Sequence, residues 1–113
     1  MKPKVKFDEN STLDDAKREL DVFLELGSPT INLNKLRKIL RFLNVEEIGS
    51  TGGSAIRFRH EILVNDTNYK DGCFSIHKIH KGGNQEEIYV KNYKIFLYPH
   101  LIKIINKLKS NDV

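Results

Sequence analysis

The spacing of hydrophobic positions changes twice along the chain. Leu13, Ala16, Leu20 and Phe23 follow a Ser11/Thr12 cap, and Gly27 with Pro29 closes the run. Residues three and four apart share one helix face, so this spacing predicts an amphipathic helix over 12–26. Leu33, Leu36, Ile39, Leu40 and Leu43 form a second helical stripe, capped by Asn32 or Asn34. Its other face carries Lys35, Arg37, Lys38 and Arg41, and "SPTIN" before it reads as a short connector.

From Val45 the period becomes two. "VEEIGS" predicts a short strand running into the glycine-rich "TGGS". In "SAIRFRHEILV", Ile56 and Phe58 alternate with Ala55, Arg57 and Arg59. In "CFSIHKIH", Phe74, Ile76, Lys78 and His80 alternate with Cys73, Ser75, His77 and Ile79. Alternation of this kind marks strands with one face toward a core. "VNDTNYKDG", ending in the turn dipeptide Asp71-Gly72, and "KGGNQEE" read as loops.

Tyr89, Tyr93, Phe96, Leu97, Leu101, Ile104, Ile105 and Leu108 then return to helical spacing. Pro99 within this stripe predicts a kink or a split near Tyr98. The order α-α-β-β-β-α describes an α+β fold. A small three-stranded antiparallel sheet carries helices on one face, with an extra N-terminal helix before it.

Composition changes this picture little: 113 residues suit one modest core, at 39% hydrophobic and 30% charged. No apolar run approaches the roughly 20 residues that span a bilayer, and "MKPKVKFDENST" lacks the apolar stretch of a secretory signal. With Cys73 the single cysteine, no internal disulfide is expected, which fits a cytoplasmic protein.

Charge changes it more. The net charge is +4. Residues 1–31 hold five basic against seven acidic side chains, and residues 32–113 hold fourteen against eight. A basic body suits an anionic partner such as nucleic acid, although a generic lysine-rich surface has the same composition.

The candidate chemistry is sparse. If 54–60 and 73–80 pair antiparallel, Ile56, Phe58, Phe74 and Ile76 face the helices. Ala55, Arg57, Arg59, Ser75 and His77 then share the open face. "TGGS" either brings backbone N–H groups near a phosphate or simply connects strands, and it lacks the lysine or third glycine of a nucleotide fingerprint. His77 and His80 stand three apart on a strand and so point to opposite faces, which argues against a shared metal. His60, His100 and Cys73 read as structural, and Tyr89, Tyr93, Phe96 and Tyr98 read as core.

"LNKLRKILRFLNVEEIGSTGGSAIRFRH", then "FSIHKIHKG" and a closing helix, resembles the HicA toxins of bacterial toxin–antitoxin pairs. The resemblance covers roughly residues 32–108. It divides the chain into an N-terminal extension, 1–31, and a HicA-like α-β-β-β-α domain, 32–113. It implies a double-stranded-RNA-binding-like fold, cleavage of messenger RNA without metal or cofactor, and a HicB-like antitoxin partner.

In that family the residue after Gly-Ser is a catalytic histidine, whereas here Gly53-Ser54 is followed by Ala55. An alanine methyl moves no proton. His77, on the same expected face, becomes the candidate general base or acid. Gly53, Ser54, Arg57, Arg59, His80 and Lys38 are the candidate RNA contacts. RNA attacked by its own 2′-hydroxyl needs a base active near neutrality and cations for the phosphorane charge. The loss of the family's histidine also fits a non-catalytic RNA-binding module, and a protein-interaction domain without nucleic acid is the further alternative.

Overall fold

Local signals set the two N-terminal helices. In a computed structural model, which describes residues 11–25, 27–49, 55–80 and 86–111 (backbone alone at Gly49, His80 and Asn111), α1 spans Leu13–Leu24. The Thr12 hydroxyl accepts from the Asp15 amide at 3.1 Å, and the Asp15 carboxylate accepts from the Thr12 amide at 2.9 Å. This reciprocal box satisfies two donors that a helix start leaves open.

The helix α2, Leu33–Phe42, is capped by Asn32, whose side-chain oxygen accepts from the Asn34 and Lys35 amides. It ends where Asn44 adopts φ 63°. There the Asn44 amide reaches Arg41 O and the Val45 amide reaches Leu40 O, a Schellman closure.

Strands β2 (Glu46–Gly49), β3 (Ala55–Arg59) and β4 (Cys73–His77) form an antiparallel sheet in the order β2-β3-β4. The chain is therefore α+β, with the sheet predicted from the alternating pattern. Ile56, Phe58, Phe74 and Ile76 are buried, and Phe58 and Phe74 stack at 5.7 Å between ring centroids.

After β3 a single 3-10 turn (Glu61–Leu63) starts a loop that returns through Asp71-Gly72. Both residues have positive φ, 56° and 72°, and the Cys73 amide bonds Lys70 O at 3.1 Å. That geometry matches the right-handed twist of a hairpin and is why Asp-Gly stands there. Gly72 also has no room for a side chain, because a Cβ would lie 2.5 Å from His60 O.

A second ladder extends what the sequence pattern suggests. Strands β1 (Thr30–Asn32), β5 (Ile79–His80) and β6 (Glu86–Tyr89) pair in the order β1-β6-β5. Thr30 faces Tyr89 and Asn32 faces Glu87, so the "SPTIN" connector and the end of the "KGGNQEE" loop supply strand residues. Each piece is two to four residues long, too short to show a period. Lys78 sits between β4 and β5, where one ladder hands over to the other.

The C-terminal stripe runs through α3 (Val90–Asn92), a π turn (Tyr93–Leu97) and α4 (Tyr98–Asn111). The Tyr98 amide bonds Tyr93 O, five residues back. Pro99 has no amide hydrogen and its ring would crowd the carbonyl four residues earlier, so the helix widens before it rather than breaking. The wider turn rotates part of the stripe outward. Tyr93 and Leu97 are fully buried, whereas Ile95 and Phe96 are 61% and 53% exposed. Tyr89, in β6, is exposed as well. The expectation that these aromatics are all core holds for Tyr93 and fails for Phe96 and Tyr89.

One hydrophobic cluster joins α1, α2, both ladders and α4. Leu20 and Phe23 of α1 are buried in it, each contributing about 1.5–3 kcal/mol by removal from water. The buried Tyr93 hydroxyl donates to Leu20 O at 2.7 Å, and the Phe23 ring meets Tyr93 edge-on at 5.8 Å. Tyr98 bonds Asp21, and Lys109 pairs with Asp14.

Candidate nucleic-acid interface

Strand register assembles the open face. Across β3 and β4, Ala55 faces His77, Arg57 faces Ser75 and Arg59 faces Cys73. Arg57, Ser75 and His77 are exposed, and Ala55, Arg59 and Cys73 are half-buried. Directly opposed side chains start about 4.5–5.5 Å apart at Cβ. One imidazole and two guanidinium groups thus stand on a surface of adjacent strand positions, with the core directly behind it.

The electrostatics of the two arginines differ. Arg59 Nε lies 3.5 Å from Asp71 Oδ2, and Glu46 faces Arg59 across β2 and β3. Part of its charge is therefore already met by the Asp71 carboxylate. Arg57 takes part in no ion pair among the described residues, which makes it the stronger candidate for an incoming phosphate.

The remaining expected contacts divide. Gly53 and Ser54 lie outside the described residues. His80 is placed in β5 opposite Glu86. Lys38 is exposed on α2. The buried stripe of that helix (Leu36, Ile39, Leu40) joins the covered side of the sheet, so the fold does not bring Lys38 to the Arg57–His77 face. A helix that covers one face of a sheet cannot also present its outer side chains on the other.

Two histidines have structural work. The His60 imidazole caps the 3-10 turn, accepting from the Ile62 amide at Nδ1 and leaving Nε2–H to donate to Leu43 O at 2.7 Å. His100 Nδ1 lies 2.6 Å from the Tyr69 hydroxyl, and its ring stacks on Phe74 at 5.1 Å. Burial, then the Lys103 ammonium, pushes the His100 imidazole below its ordinary range. Cys73 is half-buried with Sγ 3.7 Å from Asp71 O. Among the described residues no group of three His, Cys, Asp or Glu side chains could hold a metal ion.

Sequence reasoning missed a chain of charges beneath this face. The Arg37 guanidinium bonds both oxygens of Glu47, at 3.0 and 3.1 Å, together with Glu86 Oε1 at 2.9 Å and Asn34 Oδ1 at 3.0 Å. The other Glu86 oxygen accepts from Lys78. The Lys78 ammonium, then Arg37, holds the Glu86 carboxyl below the usual range. Asn34, Arg37, Arg41 and Glu47 also line a cleft of about 410 Å³ over Leu40, Val45 and Phe58. Arg37 and Glu86 are 49 residues apart, and no local pattern links them.

No protein-family model, curated protein or solved structure matches the chain. No helix among the described residues is long and apolar enough to cross a membrane.

Proposed function

We propose that this chain is a HicA-like, RNA-acting protein of the cytoplasm, the messenger-RNA-cleaving toxin of a toxin–antitoxin pair. The observation that carries the reading is the facing pair of Ala55 and His77 beside Arg57. The resembled family has its catalytic histidine at the position of Ala55, and an imidazole stands directly across the ladder from it.

In this reading Arg57, with Arg59, holds a backbone phosphate. His77 takes the proton of the adjacent 2′-hydroxyl as its oxygen attacks phosphorus. The 5′-oxygen leaves with a proton returned by the imidazolium, and the arginines balance the charge of the pentavalent state. Proton and charge are handled by side chains alone, so the step uses no metal or cofactor. A HicB-like antitoxin would cover the same open face and meet its cations with carboxylates.

Purified protein incubated with messenger RNA and a chelator tests this. Wild type should cut, and His77→Ala should lose about a hundredfold or more in rate. Equal cutting by the two proteins removes His77 from the mechanism.

Ala55 itself favours a second reading, an RNA-binding module without catalysis. RNA would then be retained and left intact, with affinity falling as salt rises because phosphate contacts release counterions. Retention without cleavage selects this reading, and salt-insensitive absence of RNA binding rejects both.

A further inference from the structure

We propose that a second copy of this chain docks on the outer side of α1 and the C-terminal helix, forming a two-fold dimer. The proposal stands apart from the RNA-acting reading and starts from surface that the fold leaves uncovered. The π turn puts Ile95 and Phe96 in solvent side by side, although both are large and apolar. A lone exposed apolar side chain is ordinary, whereas a pair on one turn marks surface that another molecule covers.

Lys91 and Lys94, beside this ridge, are exposed and take part in no ion pair among the described residues. An apolar ridge edged by two unmatched ammonium groups fits a partner that brings an apolar side chain edged by carboxylates.

The chain carries that complement itself. On α1, Val22 is 42% exposed. Glu25, three residues on, is exposed, and it too takes part in no ion pair among the described residues. Arg18, one turn before Val22, has its charge met by Asp15 at 3.5 Å. The acidic 1–31 and the basic 32–113 repeat this division over the whole chain.

The two surfaces stand on neighbouring elements at matching heights. Lys109 pairs with Asp14, Tyr98 donates to Asp21, and the Phe23 ring meets Tyr93, so α1 and the C-terminal helix run antiparallel. Val22 therefore stands level with the π turn, and Glu25 level with the end that carries Lys91. A two-fold axis along the seam lays α1 of each copy on the C-terminal helix of the other, at the same height. Val22 of one copy then meets Ile95 and Phe96 of the other, and Glu25 meets Lys91 and Lys94. The same contacts recur across the axis, so the assembly closes at two copies. Because His100 of α4 stacks on Phe74 at the covered side of the sheet, the dimer leaves both Arg57 faces open.

Sedimentation of the full chain from about 5 to 500 μM tests this. Wild type should pass from monomer to dimer within that range. Ile95→Ser with Phe96→Ser should weaken association about tenfold or more. Lys91→Glu with Lys94→Glu should weaken it by a similar factor, as should Glu25→Lys. Combining these three reversals should bring it back to within about threefold of wild type, because each charge again meets its opposite. All of these side chains lie outside the hydrophobic cluster, so the variants keep their fold.

A wild type that stays monomeric at 500 μM overturns the proposal. If that monomer sediments with anionic lipid vesicles, the ridge meets a membrane surface instead. A dimer that survives the Ile95 and Phe96 changes overturns it as well, since another face then holds the copies. Assembly beyond two copies, or no recovery when the charge reversals are combined, rejects the two-fold pairing of α1 with the C-terminal helix. RNA cleavage by a monomeric wild type would leave the proposed function standing without the dimer, and a dimer that cuts no RNA would do the reverse.

Discussion

Ala55 and His77 oppose each other across the β3–β4 ladder, with Arg57 two residues along the same face. The pair puts a methyl group where an imidazole would complete a two-histidine arrangement. Ala55→His should therefore place a second proton-transfer group beside the first. On the proposed function, cleavage of messenger RNA should rise by about a hundredfold. An Ala55→His protein that binds RNA and cuts no faster than wild type would count against this face as the catalytic one.

Gly72 is the least replaceable turn residue among those described. Its φ of 72° disfavours any L side chain, and a Cβ would sit 2.5 Å from the backbone oxygen of His60. That oxygen belongs to the chain that begins the 3-10 turn and cannot swing aside cheaply. Gly72→Ala should cost about 2–3 kcal/mol, through strain and lost hairpin pairing. Urea unfolding measures it, and a loss below about 0.5 kcal/mol would contradict the turn geometry.

His100 makes stability depend on pH in a stated direction. Burial, then Lys103, lowers its folded value below the ordinary 6.5. The unfolded chain therefore binds the proton more readily just below pH 6.5. The contribution of neutral His100 is complete above that pH and is lost as pH falls through the folded value. The thermal midpoint should drop between pH 7.5 and 5.5, and His100→Gln should flatten that drop. Parallel pH profiles for the two proteins would refute the assignment.

Tyr93 ties α1 to the rest of the core. Its hydroxyl is buried and donates to Leu20 O at 2.7 Å, and burial, with Tyr98 and Asp21 nearby, pushes its ionisation far above the usual phenol range. Tyr93→Phe keeps the ring contact with Phe23 and leaves the Leu20 carbonyl without its donor. It should cost about 1–2 kcal/mol and speed amide exchange across Leu13–Leu24. Unchanged exchange there would mean that α1 is held by apolar contact alone.

Much of this architecture is written in local patterns. The Thr12 box, the Asn32 cap, the alternation of Ile56 and Phe58 and the Asp71-Gly72 turn all act within a few residues, so the sequence by itself determined α1, α2, the β2-β3-β4 sheet and its two faces. That His77, Arg57 and Arg59 share the open side follows from strand alternation and was legible for the same reason. Other features rest on contacts between distant segments. β1, β5 and β6 are too short to show a period and exist because they pair with one another. The outward turn of Phe96 follows from how the helix accommodates Pro99 while Tyr93 and Leu97 stay in the core. Lys38 is separated from the candidate interface by the packing of α2 behind the sheet. The Glu47–Arg37–Glu86–Lys78 chain unites residues far apart in sequence, so only the tertiary structure decided it: a charge finds its partner by where the backbone carries it.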